Sequence, residues 1–256
     1  MRNVQILYPK DKERNKIARY FKEESRAMQQ QGFIVGTSPH DDAEIIIKRG
    51  FTIDKPEDYP SDGRMIQGWD ANRKTLDFSE FADVIKPWAI PFVVIPDLSD
   101  ENALRVIMME NGWERCFIRH KSTSLFAFGD FASVYPDTSL NEMTENFNKL
   151  NLTGPFIVRK YIDDMSIFYD EQRYWILNGN PYHPSGIIPD MVGECAKRMY
   201  KFSGSHYFVI DVAGDYIVEI NPGESSDRGG DNPLKFFTGI FAKEFLGLTA
   251  DTLQKV

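Results

Sequence analysis

The chain has only two cysteines and four histidines in 256 residues. Cys116 and Cys195 stand far apart in apolar or helical contexts. They offer no disulfide framework and no metal-ligand spacing, so a reducing cytoplasm is the expected compartment. No apolar run approaches the length of a membrane span, and the opening Met1-Arg-Asn-Val-Gln-Ile-Leu-Tyr-Pro9 lacks the apolar stretch of a signal peptide. A membrane partner is therefore not expected. Basic excess is also missing: 30 Lys and Arg against 38 Asp and Glu leave a net charge of −8. That argues against a general nucleic-acid binder while allowing a locally basic pocket for phosphates. There are no internal repeats, low-complexity tracts or heptads. His40, His183 and His206 show no ligand spacing, and no Ser-His-Asp arrangement has support beyond composition.

The 42% apolar content is ordinary for a globular protein. Val4–Tyr8, Phe33–Val35 and Ala43–Lys48 read as strands, and residues 11–31 as a polar amphipathic helix. The Pro/Asp/Gly-rich stretch 52–70 reads as loop, 78–90 as a helix, and Pro91–Pro96 as a strand bounded by prolines. Alternating strands and helices define an α/β region, and a boundary is expected near residue 98, giving segments 1–98 and 99–256. The second segment opens with a helix over 100–111 and a strand, Arg115–Lys121, that turns polar at its end. Ser122–Gly129 reads as loop and strand, 140–150 as a helix, and Pro155–Ile162 as a strong strand. A strand from Arg173 then enters an Asn178-Gly179 hairpin turn. Helices over 189–202 and 232–246 flank a last hairpin.

That hairpin carries the chemistry. Its first strand, Tyr207-Phe-Val-Ile-Asp211-Val, holds one carboxylate among apolar residues. The second, Tyr216-Ile-Val-Glu219-Ile-Asn221-Pro, holds another carboxylate and an amide. Carboxylates are poorly tolerated in apolar surroundings unless paired or metal-bound. Alternation puts Glu219 and Asn221 on one face, about 6–7 Å apart at the backbone. A three-residue loop, Ala213-Gly214-Asp215, would turn Asp211 to that same face, and three converging oxygen side chains would suit Mg²⁺. A two-residue loop would turn Asp211 to the opposite face.

The Asp-then-Glu-x-Asn hairpin resembles the metal-binding end of the ATP-grasp superfamily, and the order of elements upstream of it is similar. The resemblance covers roughly residues 100–246. It implies an ATP-grasp fold of two α+β lobes holding a nucleotide between them, preceded by a smaller α/β domain. Asp211, Glu219 and Asn221 match the family's magnesium ligands. Arg119 occupies the place of its phosphate-binding Lys, with Lys121 as the alternative. The sequence departs from the family here, with Arg and then Ser122-Thr-Ser124 where Lys and a Gly-rich loop are common. Pro155-Phe-Ile-Val-Arg159-Lys160-Tyr161-Ile162-Asp163-Asp164 resembles the inter-lobe strand, whose backbone at the positions of Lys160 and Ile162 meets the adenine edge. Asp163 or Asp164 would then accept from ribose hydroxyls. Glu171 and Arg173 resemble a Glu-x-Arg strand found in part of the superfamily. Arg173 is the candidate for gripping the γ-phosphate or the carboxylate to be activated. Arg228, in the Gly/Ser loop after the hairpin, is a candidate for cradling an anionic substrate.

The implied activity is an ATP- and Mg²⁺-dependent ligase that makes an acyl phosphate for attack by an amine or similar nucleophile, with carboxylate and amine substrates of small-molecule or peptide type. Oligomeric state is not legible. A kinase on the same nucleotide site and a non-catalytic nucleotide-binding module stay open as alternatives.

Overall fold

In the computed structural model, residues 2–11, 16–51, 56, 59, 63–98, 101–121, 133–134, 145, 153–162, 170–226 and 233–247 are described. Packing divides the chain into two compact units, Met1–Thr75 with Arg173–Asp211 and Glu219–Val256, and Leu76–Gln172 with Val212–Val218. This grouping differs from the boundary expected near residue 98, which followed sequence order.

The first unit contains a parallel sheet in the order β2-β1-β3, made of β1 (Val4–Leu7), β2 (Ile34–Gly36) and β3 (Ile45–Lys48). Helix α1 (Lys22–Gln30) crosses between β1 and β2, preceded by a 3₁₀ turn at Arg19–Phe21. The helix expected from Asp11 begins only at Lys22, because the flanking residues pair with each other. Lys10 and Ile17 bridge, and the Ala18 N–H donates to the Pro9 carbonyl. Helix α2 (Trp69–Leu76) lies partly within the stretch expected to be loop.

In the second unit, Asp77 caps α3 (Phe78–Ile85), accepting from the Ser79 N–H. The helix stops short of the expected Ile90 and gives way to a turn. An antiparallel sheet follows in the order β4-β7-β5-β6, from β4 (Phe92–Ile95), β5 (Cys116–His120), β6 (Ser133–Val134) and β7 (Phe156–Lys160). Helix α4 (Glu101–Glu110) covers it through Leu104 and Met108, which pack with Cys116, Ile118 and Val158. The helix expected over 140–150 and the loop and strand expected at Ser122–Gly129 lie outside the described residues, Glu145 excepted.

A second antiparallel sheet has the order β11-β10-β8-β9, from β8 (Gln172–Leu177), β9 (Asn180–Tyr182), β10 (Tyr207–Ala213) and β11 (Tyr216–Pro222). The Asn178-Gly179 turn forms as expected, with φ +51° and +78°, the two left-handed positions that a type I′ hairpin requires. Helix α5 (Asp190–Ser203) ends at Gly204 in the left-handed region. Helix α6 (Leu234–Phe241) runs into a π-helical turn, Ala242–Leu246.

One core joins β1, β8, β10 and α6 through Val4, Ile6, Trp175, Tyr207, Val209, Phe237 and Phe241. A cation is embedded in it. Arg49 is 0% exposed, and its guanidinium lies over the rings of Phe21, Trp175 and Phe237. Its Nε and Nη2 bind the two oxygens of Glu24 at 2.9 and 3.1 Å, and Nη1 donates to the Ser226 carbonyl. The Tyr8 hydroxyl completes the group by donating to Glu24. Removing one partner of such a pair leaves the other charge buried and uncompensated. Glu24→Gln is expected to cost about 3–5 kcal/mol in urea denaturation. Asp70→Asn, which removes a surface bridge to Arg73 and Lys74, is expected to cost less than about 1 kcal/mol.

Candidate functional site

Every residue of β10 is buried, Asp211 included, at 0% exposure. Its carboxylate is held by Arg173 of β8 in a two-point contact, Nε to Oδ1 and Nη2 to Oδ2, both 2.8 Å. Strand register explains the pairing. The Asn178 N–H donates to the His206 carbonyl. With the Arg173–Asp211 contact, this runs the two strands antiparallel and sets Arg173 directly opposite Asp211. The fork geometry of a guanidinium matches a carboxylate at two points, and a charge so deep in the sheet demands such a partner.

The hairpin turn is shorter than expected. Only Gly214 and Asp215 stand between the strands, and Gly214 has φ +56° while Asp215 is not in the left-handed region. A glycine at the first of two turn positions is the type II′ pattern, whereas the three-residue loop places its left-handed residue last. This turn alone would set Asp211 opposite Val218. Farther down, however, the Gly223 N–H donates to the Tyr207 carbonyl, a register in which Asp211 stands opposite Glu219. The two registers differ by one residue, so β11 accommodates a bulge between turn and base. Glu219 and Asn221 are half-buried on this strand. Among the described residues no group of three or more His, Cys, Asp or Glu could hold a metal ion. The present set has two carboxylates and an amide, all oxygen donors of the kind Mg²⁺ takes.

The remaining candidates fall as follows. Glu171, just ahead of β8, is exposed. In the second unit, Arg119 is buried with its guanidinium over the Phe78 ring at 5.2 Å. Lys121 lies 3.7 Å from the Asp77 carboxylate. Cys116 and Ile118 face the apolar cluster under α4, as expected for the opposite side of β5. The face carrying Arg119 is also covered, because α3 packs there. His120 contacts the Thr153 carbonyl, and burial holds its pKa below the usual imidazole value. The Lys160 N–H donates to the Pro91 carbonyl and the Tyr161 N–H to that of Arg115, whose guanidinium lies over the Tyr161 ring. Among the described residues the Ile162 N–H makes no backbone hydrogen bond. The Ile162 side chain packs with Ile90, Ala213, Tyr216 and Val218 at the tip of the hairpin. Asp163, Asp164 and Arg228 lie outside the described residues.

Sequence reasoning passed over the acid that follows the Glu-x-Asn motif. Glu224 is 0% exposed, and its Oε2 accepts from the Tyr59 hydroxyl at 2.7 Å. Burial pushes its carboxyl up to about 7, against the downward pull of the Tyr59 hydrogen bond, Lys48 and Asn72. The Asn72 amide donates to Tyr59, and Gln67, Ser205 and the Tyr207 carbonyl extend the network. The signal available in the sequence was an acid in a Pro-Gly-Glu turn directly after the motif, in a loop read as a cradle for anions.

Against known proteins, no family model matches the sequence and no curated protein matches it. Solved structures do. D-cycloserine synthetase DcsG is similar with a TM-score of 0.60 at 15% identity, covering 94% of this chain and 99% of that one. D-alanine–D-alanine ligase from Bacillus anthracis, complexed with ATP, gives 0.58 at 13%, covering 100% and 98%. The ATP-grasp ligase PsnB, complexed with minimal precursor, Mg and ADP, gives 0.58 at 10%, covering 95% and 97%. The protein therefore has the ATP-grasp fold.

Glu224 gives this site a pH signature. Its folded value of about 7 lies above the ordinary 4.5, so between these values the folded protein holds a proton that the unfolded one has released. The resulting stabilisation is complete below about 4.5 and is lost as pH rises through about 7. Glu224→Gln cannot titrate. The unfolding free energy of the wild type relative to this variant is expected to fall by about 3 kcal/mol over that window, as measured by urea melts at closely spaced pH values.

Proposed function

We propose that the protein is an ATP- and Mg²⁺-dependent ligase that activates a substrate carboxylate as its acyl phosphate, which an amine then attacks. The observation that carries the reading is the two-point Arg173–Asp211 contact beside the Glu-x-Asn strand, within an ATP-grasp fold. Asp211, Glu219 and Asn221 offer the oxygen donors that would hold Mg²⁺. When bound, the ion supplies charge neutralisation to the phosphates.

The protein's own work is positioning and electrostatics. Asp211 fixes the plane of the Arg173 guanidinium, whose side chain is 21% exposed, and Arg173 is the candidate for meeting an incoming γ-phosphate or carboxylate. Arg119 and Lys121 are the candidates for the remaining phosphate charge. Lys160 and Ile162 are the candidates for the adenine edge, where a backbone carbonyl and N–H match adenine N6 and N1, with Tyr161 between them. No nucleophilic side chain is required, because ATP supplies the leaving group. Phosphate departs as the carbon–nitrogen bond forms. Glu171 and the residues beyond the described set, Asp163, Asp164 and Arg228, remain candidates in the roles expected from the sequence.

The test is product analysis. Amino acids and short peptides are offered in pairs with Mg·ATP, and products are followed by ³¹P NMR and mass spectrometry. A productive pair is expected to give ADP, inorganic phosphate and an amide in equal amounts, and Glu219→Gln is expected to abolish turnover without altering the melting temperature. Phosphate retained on an organic product would instead make the protein a kinase.

A further inference from the structure

β11 is the outer strand of its sheet, so the backbone groups of its residues alternate between bonding β10 and pointing outward. The Gly223 N–H bonds the Tyr207 carbonyl, and counting back in twos turns Asn221 and Glu219 inward as well. At the other end the two-residue turn closes on Ala213 and Tyr216, which turns Tyr216 inward and Ile217 outward. Ile217 follows this pattern, since its N–H donates to the Trp88 carbonyl. Val218 should then point inward, with its carbonyl bonded to β10. Instead that carbonyl accepts from Arg159 Nη1 at 3.2 Å. Alternation breaks at Val218.

Side-chain burial agrees. Ile217 and Val218 are both buried, against the alternation of the rest of the strand. Val218 packs with Ala213, which shares a face with Asp211, and Glu219 takes that same face in the register of the base. Two successive residues, Val218 and Glu219, thus stand opposite Asp211, which is the arrangement of a bulge. The consequence is chemical. Without the extra residue Glu219 would pair with Ile210 and project from the other face of the sheet, taking Asn221 with it. A bulge also leaves a backbone group outside the ladder, and a buried one needs a partner. Val218 is buried, and its carbonyl is met by a guanidinium, a stronger donor than a neutral group. Arg159 lies within β7, paired with Phe92 of β4 on one side and Phe117 of β5 on the other. Its backbone is therefore fixed independently of the hairpin.

We propose that Arg159 is a positioning residue for Glu219, holding the bulge that turns this carboxylate and Asn221 to the face of Asp211. This rests on the ligase reading, in which those three side chains hold Mg²⁺. Arg159 acts on the ligand set through the Val218 carbonyl, one peptide ahead of Glu219.

The test uses Arg159→Met, which keeps an apolar stem and removes every donor, and Arg159→Lys, which keeps a donor. Register is read in the nucleotide-free, full-length protein from Hα–Hα nuclear Overhauser effects, because residues in a non-hydrogen-bonded pair approach to about 4.5 Å at Cα. The wild type is expected to show Ile210 against Ile220, a contact that tests the bulge whether or not the variants fold. Arg159→Met is expected to gain Ile210 against Glu219. By calorimetry, its Mg²⁺-dependent gain in ATP affinity is expected to fall about tenfold, with affinity for metal-free ATP unchanged within about twofold and Arg159→Lys close to the wild type. The proposal is overturned if the wild type itself pairs Ile210 with Glu219, if Arg159→Met keeps the wild-type register, or if its register changes with no loss of Mg²⁺-dependent affinity. Equal losses with and without Mg²⁺ overturn it too, by placing Arg159 on the nucleotide. A register change in Arg159→Met, in a protein whose wild type binds no Mg·ATP, would sink the ligase reading and leave the hold of Arg159 on the bulge standing.

Discussion

A carboxylate inside a fully buried strand must be answered by a cation, and at Asp211 the answer is Arg173. That requirement ties the fold to the chemistry. The register between β8 and β10 has to set the two residues opposite each other, and the bond from the Asn178 N–H to the His206 carbonyl just beyond β8 belongs to that same register. Asp211 is then held in one orientation beside the strand that carries Glu219 and Asn221. A shift of one residue along β8 would bury Asp211 without its partner and turn Arg173 into the opposite face.

The same logic recurs at Arg49. An apolar core contains a guanidinium because Glu24 takes it at two points and three aromatic rings line its faces. Burial alone would depress its pKa, but Tyr207 and Glu24 outweigh that and leave it above its ordinary value. Ion pairs of this kind are weak sources of net stability, because desolvation offsets most of the attraction. Their effect is to make alternative arrangements expensive. Arg49 also reaches the Ser226 carbonyl, so the embedded pair anchors the turn that carries Glu224.

Much of this was legible in the sequence, and the parts that were not have physical reasons. The strands, the Asn-Gly hairpin and the acid-bearing hairpin were readable because periodicity and turn chemistry are local. The early helix over 11–31 was overestimated because the Lys10–Ile17 bridge overrides a helical pattern. The three-residue turn was expected so that Asp211 would share a face with Glu219. The protein instead forms a two-residue turn and changes register by a bulge in β11, a device that leaves no sequence pattern of its own. Arg173 stood out by its type. Its partner did not, because strand pairing across some forty residues is not written in either strand. Glu224, Tyr59 and Arg49 were missed for the same reason: each lies in a different segment, and only folding brings them together.

The central claim is that the acidic hairpin serves Mg·ATP. Calorimetric titration of ATP into the wild type and into Asp211→Asn, each with and without Mg²⁺, tests it most directly. The account predicts saturable Mg·ATP binding by the wild type and loss of the Mg²⁺-dependent part of that affinity in the variant, each titrated at a temperature where circular dichroism shows it folded. Absence of binding by the wild type at millimolar Mg·ATP, or an affinity indifferent to both Mg²⁺ and Asp211, would contradict it.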